Sequence, residues 1–178
     1  MMRACLFRKV LGKLEQHTPD FLRSLEIQIL LNLTARAFHA YGMSIRRMQA
    51  DTALEKYAQF TVSCMNSGKA DPAALYRSAF AAGRLLRLIS GFQDPADLQR
   101  LVFYLYRNIR ITMTGELPGG MIVPDCYFSR FYTPKQCAVM SLMDSGIIAG
   151  LFGEGRLKFT ARLTSGCEAC KACFITHL

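Results

Sequence analysis

Apolar residues recur at helical spacing through the first 106 residues of the chain. In the first segment, about residues 3–16, one stripe consists of Leu6, Val10, Leu11 and Leu14. Four later helices are predicted to begin at Thr18-Pro19-Asp20, Asp51-Thr52, Asp71-Pro72 and Asp94-Pro95. Asp accepts hydrogen bonds from the free amides of a first helical turn, and Pro lacks the amide that would go unsatisfied there. The pattern therefore predicts five helices.

The second predicted helix shows how these stripes are expected to pack. Its apolar stripe comprises Phe21, Leu22, Leu25, Ile29, Leu33, Ala37 and Tyr41, and the helix is predicted to stop at Gly42. Glycine is a natural stop because it tolerates the left-handed conformation. Since each helix has one apolar stripe, we expect the stripes to face one shared core.

The periodicity changes near residue 107. Residues 109–114 alternate with a period of two and end at Gly115, which predicts a first strand, and residues 121–130 form a second extended segment. Thr133-Pro134 starts a sixth helix that runs to about Leu151. Residues 157–163 and 172–178 are predicted to return as two antiparallel strands. The fold class is therefore α+β, with a helical N-terminal part followed by a small antiparallel sheet with one packed helix.

Length and composition favour one globular domain. The chain has 178 residues, of which 51% are apolar and 20% charged, and this balance excludes wholesale disorder. The length suffices for one well-buried core but not for two ordinary domains. We predict a single domain, residues 1–178, made of a helical part, residues 1–106, and a sheet-and-helix module, residues 107–178.

The sequence also predicts a soluble, cytoplasmic protein. Charged residues interrupt every stretch that approaches the roughly 18 apolar residues of a membrane span. Basic residues are mixed into the N-terminal apolar ones, where a signal peptide would have a compact apolar segment. Seven cysteines are an odd number, and Cys5 and Cys64 lie in helical patterns, so we expect reduced thiols.

The net charge of +9 is concentrated on the helices. Residues 1–115 hold 16 Lys and Arg against 8 Asp and Glu, whereas residues 116–178 hold 6 against 5. The cations occur singly or in pairs, without the dense run or interleaved aromatic residues typical of nucleic-acid binding. A solvated basic face is the simpler interpretation, and contact with an anionic partner is the alternative.

Three closely spaced thiols are the most informative chemical feature. Cys167, Cys170 and Cys173 are separated by two residues each, a spacing that lets neighbouring sulfurs reach one tetrahedral zinc ion at roughly 2.3 Å. A fourth ligand would come from Cys137, Cys126 or His177. Part of the iron–sulfur ferredoxin pattern has the same spacing, but no fourth Cys-Pro follows here. Ordinary buried cysteines or a nucleophilic thiol are the other interpretations.

Asp144 is the second candidate functional residue. It is the only charge between Lys135 and Glu154, in an otherwise apolar helix, and a carboxylate in such a place needs a partner. It either caps a helix that resumes after a break at Gly146 or faces a pocket as an acid–base group. His177, on the last predicted strand beside the thiols, is a candidate base or metal ligand.

The C-terminal pattern resembles the 4-vinyl reductase module and the related L-2-amino-thiazoline-4-carboxylic acid hydrolase family. The resemblance covers about residues 107–178. Cys137 and Cys170 match two zinc ligands of sensors similar to the vinyl reductase module, but the two inner ligands would fall near Thr160 and Leu163, which cannot replace them. Asp144, Gly166 and Cys170 match the hydrolase pattern. This resemblance implies hydrolytic opening of a small cyclic amidine-like compound.

Three functions remain as hypotheses. The first is a hydrolase-like enzyme with a pocket between the terminal helix and the sheet, with Asp144 and His177 as catalytic residues. Its thiol site, Cys137, Cys167, Cys170 and Cys173, would bind metal, with zinc preferred over an iron–sulfur cluster. The second is a non-catalytic ligand or metal sensor, and the third is an iron–sulfur or thiol redox protein. A small molecule is the expected partner, and the sequence leaves room for a homo-oligomer.

Overall fold

The computed structural model describes residues 2–45, 47–153 and 155–175. Of Met2 it describes the main chain only. Within these ranges the helices are α1 Met2–Gln16, α2 Asp20–Ala37, α3 Ala50–Asn66, α4 Pro72–Ser90, α5 Pro95–Asn108 and α6 Pro134–Phe152. The strands are β1 Ile111–Gly115, β2 Gly120–Cys126, β3 Arg156–Ala161 and β4 Cys170–Ile175. Helices precede a C-terminal sheet, so the predicted α+β class is confirmed.

The predicted helix starts at Asp-Pro pairs are confirmed in atomic detail. The side chain of Asp71 accepts a hydrogen bond of 2.9 Å from the amide of Ala74, at the start of α4. Asp94 does the same for the amide of Ala96 in α5, also at 2.9 Å. These caps satisfy amides that have no partner inside the helix.

Helix α2 differs from its prediction in length and in orientation. It ends at Ala37, five residues before Gly42. Phe21, Leu25 and Ile29 of the predicted stripe are exposed, by 69%, 54% and 50% of their surface, whereas Ile27 and Leu31 are buried. The prediction that this stripe faces the core is therefore wrong for these three residues, whereas Ala37 of the same stripe is buried.

Polar contacts explain which face of α2 is buried. The Ser24 hydroxyl donates a hydrogen bond of 3.0 Å to the carbonyl of Met48, and the side-chain oxygen of Gln28 accepts one of 2.9 Å from the Ile45 amide. These bonds fasten Ile45 and Met48 to the helix. A buried polar group with a partner carries little penalty, so the face with Ser24 and Gln28 can enter the core.

The four strands form one antiparallel sheet in the order β1-β2-β4-β3. Met121 of β2 pairs with Ala172 of β4, and Val123 pairs with Cys170. Side chains alternate along β4, so Cys170, Ala172 and Phe174 are buried while Cys173 is exposed. The inner face of the sheet joins the same hydrophobic core as residues of α2 to α6.

The strand boundaries differ from the predicted ones. Residues 109 and 110 form a turn directly after α5, in which Arg110 has a φ of 58°, so β1 starts at Ile111. The second extended segment ends at Cys126 because Tyr127–Arg130 form a 3₁₀ turn. The last strand begins two residues earlier than predicted, and residues 176–178 lie outside the described ranges.

Helix α6 continues without a break past Gly146 and packs against α4. A Cβ at Gly146 would lie 2.6 Å from the carbonyl oxygen of Tyr76, and one at Gly150 would lie 2.3 Å from that of Phe80. The glycines therefore allow the two helix backbones to approach closely. Because the helix is continuous, Asp144 lies in its interior, and the alternative in which it caps a second helix is wrong.

Each helix in the described part of the chain falls short of the combined length and apolar character that a bilayer crossing requires.

Candidate functional site

A small cavity of about 60 Å³ lies between α6, α3, the end of β2 and the turn after β3. Its wall is mostly apolar, with Leu30, Met140 and Met143 among the lining residues. Aromatic rings complete it: Phe128 meets the ring of Tyr57 edge-on at 5.9 Å and stacks on that of Tyr132 at 5.6 Å. We call this space the Asp144 pocket.

The tyrosine hydroxyls of this wall have partners elsewhere in the core. The hydroxyl of Tyr57 lies 2.9 Å from that of Thr34, and the hydroxyl of Tyr132 lies 2.7 Å from that of Thr61. Burial raises the pKa of both phenols, so they remain neutral. These residues contribute ring surfaces to the pocket rather than acid–base groups.

Asp144 is the acidic group of the pocket. Its side chain accepts a hydrogen bond of 2.8 Å from the hydroxyl of Tyr106 on α5. Burial raises the pKa of Asp144 from 3.8 to about 6, although the Tyr106 hydrogen bond and the charge of Arg162 both lower it. The prediction that Asp144 faces a pocket agrees with this geometry, and its carboxyl group exchanges a proton close to neutral pH.

Arg162 holds a positive charge beside the pocket. One of its nitrogens donates a hydrogen bond of 2.6 Å to the Ser141 hydroxyl and lies 3.5 Å from the sulfur of Cys137. The guanidinium carbon also lies 4.1 Å from the centre of the Phe159 ring. Three contacts from two elements fix this cation on the Asp144 side of the sheet.

Thr164 supplies a polar group that no protein atom satisfies. It lines the Asp144 pocket in the 3₁₀ turn Leu163–Ser165, and its hydroxyl is buried without a hydrogen-bond partner in the described ranges. Buried hydroxyls nearly always have a partner, so an orphaned one needs an explanation such as a ligand or a water molecule. The hydroxyl therefore points to an occupant of the pocket.

Three of the seven thiols line the pocket: Cys126, Cys137 and Cys170. Burial raises the pKa of Cys126 to about 12 and also raises that of Cys170, and the negative charge of Asp144 acts in the same direction. The sulfur of Cys170 accepts a hydrogen bond of 3.3 Å from the Leu163 amide. Because the thiolate is the reactive form, Cys126 and Cys170 are not activated nucleophiles.

The structure does not bring the four predicted metal ligands together. Cys170 and Cys173 point to opposite faces of β4, and Cys167 and Cys173 are exposed. The Arg162 guanidinium already lies beside Cys137, and a second cation there would be repelled. Across the described ranges, no group of three or more His, Cys, Asp or Glu side chains is arranged to hold a metal ion. The described residues therefore do not form the predicted four-thiol site as they stand, and zinc or iron–sulfur binding stays a prediction.

His177, the other predicted catalytic residue, lies outside the described residues. Three further residues, one lining the pocket and two in contact with its wall, carried no signal in the sequence. Tyr106 is one of several aromatic residues on α5, and Arg162 fits the alternation of a strand as an ordinary exposed cation. Thr164 has no distinguishing neighbours. Each gains its role only from tertiary contacts.

No family model, no curated protein and no solved structure matches this chain. The resemblance to the vinyl reductase module and the hydrolase family therefore stays a prediction, and so does everything that it implies about activity.

Proposed function

We propose that this protein binds a small, flat, nitrogen-containing molecule, such as a cyclic amidine, in the Asp144 pocket. The observation that carries the proposal is a carboxyl group with spare acceptor capacity in an otherwise apolar cavity. Within the described residues, Tyr106 makes the only hydrogen bond to the side-chain carboxyl group of Asp144. An ionised carboxylate accepts about four hydrogen bonds, so it can take two more from the N–H groups of an amidinium.

The other pocket groups agree with this class of ligand. The aromatic faces of Phe128 and Tyr132 suit a flat ring, and the orphaned Thr164 hydroxyl offers one further hydrogen bond. Arg162 retains guanidinium donors beyond those used on Ser141. It would pair with a carboxylate on the same ring. A ring that carries both an amidine and a carboxylate would pair with both Asp144 and Arg162.

The size of the cavity limits how such a ligand enters. A volume of about 60 Å³ equals the share of roughly two water molecules, so even a five-membered ring needs the wall to move. Met140 and Met143 line the cavity, and the flexible side chain of methionine rearranges readily. We infer that binding displaces these two side chains.

Hydrolysis is the second candidate function, and the pKa of Asp144 favours it. A group whose pKa is about 6 is well matched to general-base catalysis near neutral pH. Asp144 would take a proton from water while the water oxygen attacks the amidine carbon and the C=N electron pair moves to nitrogen. The ring C–N bond would then break as Asp144 returns the proton to the leaving ring nitrogen. The raised pKa values of Cys126 and Cys170 argue against either thiol as the nucleophile.

Calorimetric titration with 2-amino-thiazoline-4-carboxylate tests the proposal. Asp144→Asn should weaken binding at least tenfold, because the amide replaces one acceptor oxygen with a donor and removes the charge. Asp125→Asn makes the same atomic change at an exposed carboxylate of β2 and should leave binding unchanged. Equal affinity of wild type and Asp144→Asn, or no binding to wild type, would contradict the proposal.

A second probe and a product assay separate the remaining possibilities. The second probe is 2-aminothiazoline, the same ring without its carboxylate. If Arg162 holds the carboxylate, wild type should bind this probe more weakly than the carboxylate probe. Wild type and Arg162→Gln should then bind 2-aminothiazoline equally well. Chromatography of the incubated carboxylate probe then distinguishes hydrolysis from binding alone. Ring opening by wild type and not by Asp144→Asn supports the enzyme, and bound but intact probe supports the ligand sensor.

A further inference from the structure

A large open groove lies between α1, α4 and α6, with residues different from those of the Asp144 pocket. Its volume is about 830 Å³, and Arg3, Arg84 and Arg87 line it together with Phe80. Gly150 of α6 also lines it, at the point where the backbones of α4 and α6 approach closely. Asp and Glu are absent from its described lining. The groove is therefore positively charged at its rim and apolar at its base.

No ion pair neutralises the arginines of the groove within the described part of the chain. Elsewhere, arginines form ion pairs, for example Arg8 with Asp97 and Arg110 with Asp51. In the described ranges no ion pair involves Arg3, Arg84 or Arg87. Arg87 contacts only the side-chain oxygen of Gln93, at 3.3 Å. Part of the net charge of +9 is thus concentrated here, and no described carboxylate pairs with it.

Large apolar side chains project into solvent beside these arginines. Leu85, Leu88 and Ile89 of α4 are exposed by 55%, 69% and 56% of their surface. On α1, Leu6 follows Arg3 by one helical turn and is exposed by 65%. Exposed apolar residues are ordinary when single, but a group of them flanked by cations marks an interaction surface.

We propose that this face, which we call the α1–α4 face, binds the surface of an anionic lipid bilayer. Arginines that flank apolar residues on an exposed helix are the pattern of helices that lie in the membrane interface. The unpaired guanidinium groups would contact anionic head groups. Leu85, Leu88 and Ile89 would enter the boundary between head groups and acyl chains. Charge complementarity favours an anionic occupant, since the described lining of the groove has arginines and no carboxylate that would pair with a cationic partner.

Sedimentation with lipid vesicles tests the proposal. Wild type should bind vesicles of mixed phosphatidylcholine and phosphatidylserine, and binding to pure phosphatidylcholine should be at least tenfold weaker. The double variant Arg84→Gln/Arg87→Gln should weaken binding to the mixed vesicles about tenfold or more. Arg36→Gln/Arg156→Gln removes the same charge from exposed positions of α2 and β3 and should have a much smaller effect.

The apolar contribution has its own variant and control. Leu85→Gln/Leu88→Gln should weaken vesicle binding severalfold while the salt dependence stays as in wild type, because the charges are unchanged. Leu25→Gln, at an exposed leucine of α2, should bind as wild type does. The circular dichroism of all variants should match wild type, since the substituted side chains lie at the surface.

Three results would overturn the proposal. The first is that wild type sediments equally with neutral and mixed vesicles, or with neither. The second is that the two arginine double variants lose binding equally, which would indicate an effect of net charge rather than of this face. The third is that inorganic phosphate displaces the protein from mixed vesicles when sodium chloride of equal ionic strength does not, which would indicate a site for a free anion.

Discussion

The hydroxyl of Tyr106 donates a hydrogen bond of 2.8 Å to the carboxyl group of Asp144 and thereby connects α5 with α6 beside the pocket. The bond favours the ionised carboxyl group, which burial disfavours. These opposing effects leave the pKa of Asp144 at about 6, so the residue is able to bind a cation or exchange a proton near neutral pH. The charge that the pocket offers to a ligand therefore depends on Tyr106, whose hydroxyl contacts the carboxyl group of Asp144.

Replacing Tyr106 with Phe tests this dependence. The hydrogen bond that lowers the pKa of Asp144 is lost, so the pKa should rise above about 6. Loss of a hydrogen bond to a charged group should also lower the free energy of unfolding by about 1–3 kcal/mol at neutral pH. Carbon-13 NMR of the Asp144 carboxyl group, followed against pH, measures the shift.

Tyr132→Phe is the matched control for this variant. It removes a hydroxyl from another buried tyrosine of the pocket, whose hydrogen bond goes to Thr61 and not to Asp144. The protein should be destabilised, but the pKa of Asp144 should stay near its wild-type value. An unchanged pKa in Tyr106→Phe would show that the hydrogen bond does not set the proton affinity of Asp144.

Two carboxyl groups predict that the protein is more stable in mild acid than in base. Burial raises the pKa of Glu26 from 4.5 to about 8, and that of Asp144 from 3.8 to about 6. The folded protein therefore binds these protons more tightly than the unfolded chain does. Stability should fall as pH rises from about 4 to 6 through Asp144, and from about 4.5 to 8 through Glu26.

Glu26→Gln should remove the upper part of this pH dependence. The side chain of Asn108 donates a hydrogen bond of 2.9 Å to Glu26, and a glutamine oxygen can still accept it. Without the buried charge, the variant should gain on the order of a few kcal/mol of unfolding free energy at pH 8 and almost none at pH 4. Urea denaturation across this range measures the gain. Glu55→Gln, at an exposed position of α3, should follow wild type at every pH.

The seven thiols should react in the order of their exposure. Cys5, Cys167 and Cys173 are exposed, whereas Cys64 and Cys170 are buried. Iodoacetamide at neutral pH should modify the three exposed thiols first, and the buried ones only after denaturation, because reaction needs an accessible thiolate. Mass spectrometry of peptides identifies the modified residues.

The same experiment tests the predicted zinc site. If Cys137, Cys167, Cys170 and Cys173 bound one ion, Cys167 and Cys173 would be protected until a chelator removed the metal. The geometry predicts instead that a chelator leaves the reaction rate of both thiols unchanged. Stoichiometric zinc in the purified protein, together with faster modification after chelation, would restore the four-thiol site.

Local signals in the sequence predicted the parts of the fold that local interactions determine. Asp71 and Asp94 cap helices through amides two or three residues away, so their role could be inferred without tertiary contacts. The alternation in residues 111–115 likewise depends on one strand. Asp144 was identifiable because a lone charge in an apolar helix needs a partner.

The geometry of β4 works against the predicted grouping of the thiols for a physical reason. Two intervening residues bring sulfurs together when the chain turns, but in a strand residues three apart point to opposite faces. Because β4 begins at Cys170, its side chain and that of Cys173 diverge. Because β4 begins two residues earlier than predicted, Cys170 lies in the strand and not in the turn before it. Arg162 and Thr164 became recognisable only from their contacts across the fold.

The orientation of α2 gives a prediction that two leucines of one helix test directly. Leu25 belongs to the stripe that was expected to be buried, yet 54% of its surface is exposed, whereas Leu31 is 1% exposed. Leu31→Ala should lower the free energy of unfolding by about 2–5 kcal/mol, because it removes buried methyl groups and leaves a cavity. Leu25→Ala should change it by less than about 0.5 kcal/mol. Chemical denaturation of the two variants measures both values against wild type.

If Leu25→Ala were as destabilising as Leu31→Ala, the exposed stripe of Phe21, Leu25 and Ile29 would be covered in solution. Sedimentation at several protein concentrations would then show whether a second copy covers it, because stability of an oligomer rises with concentration while that of a monomer does not.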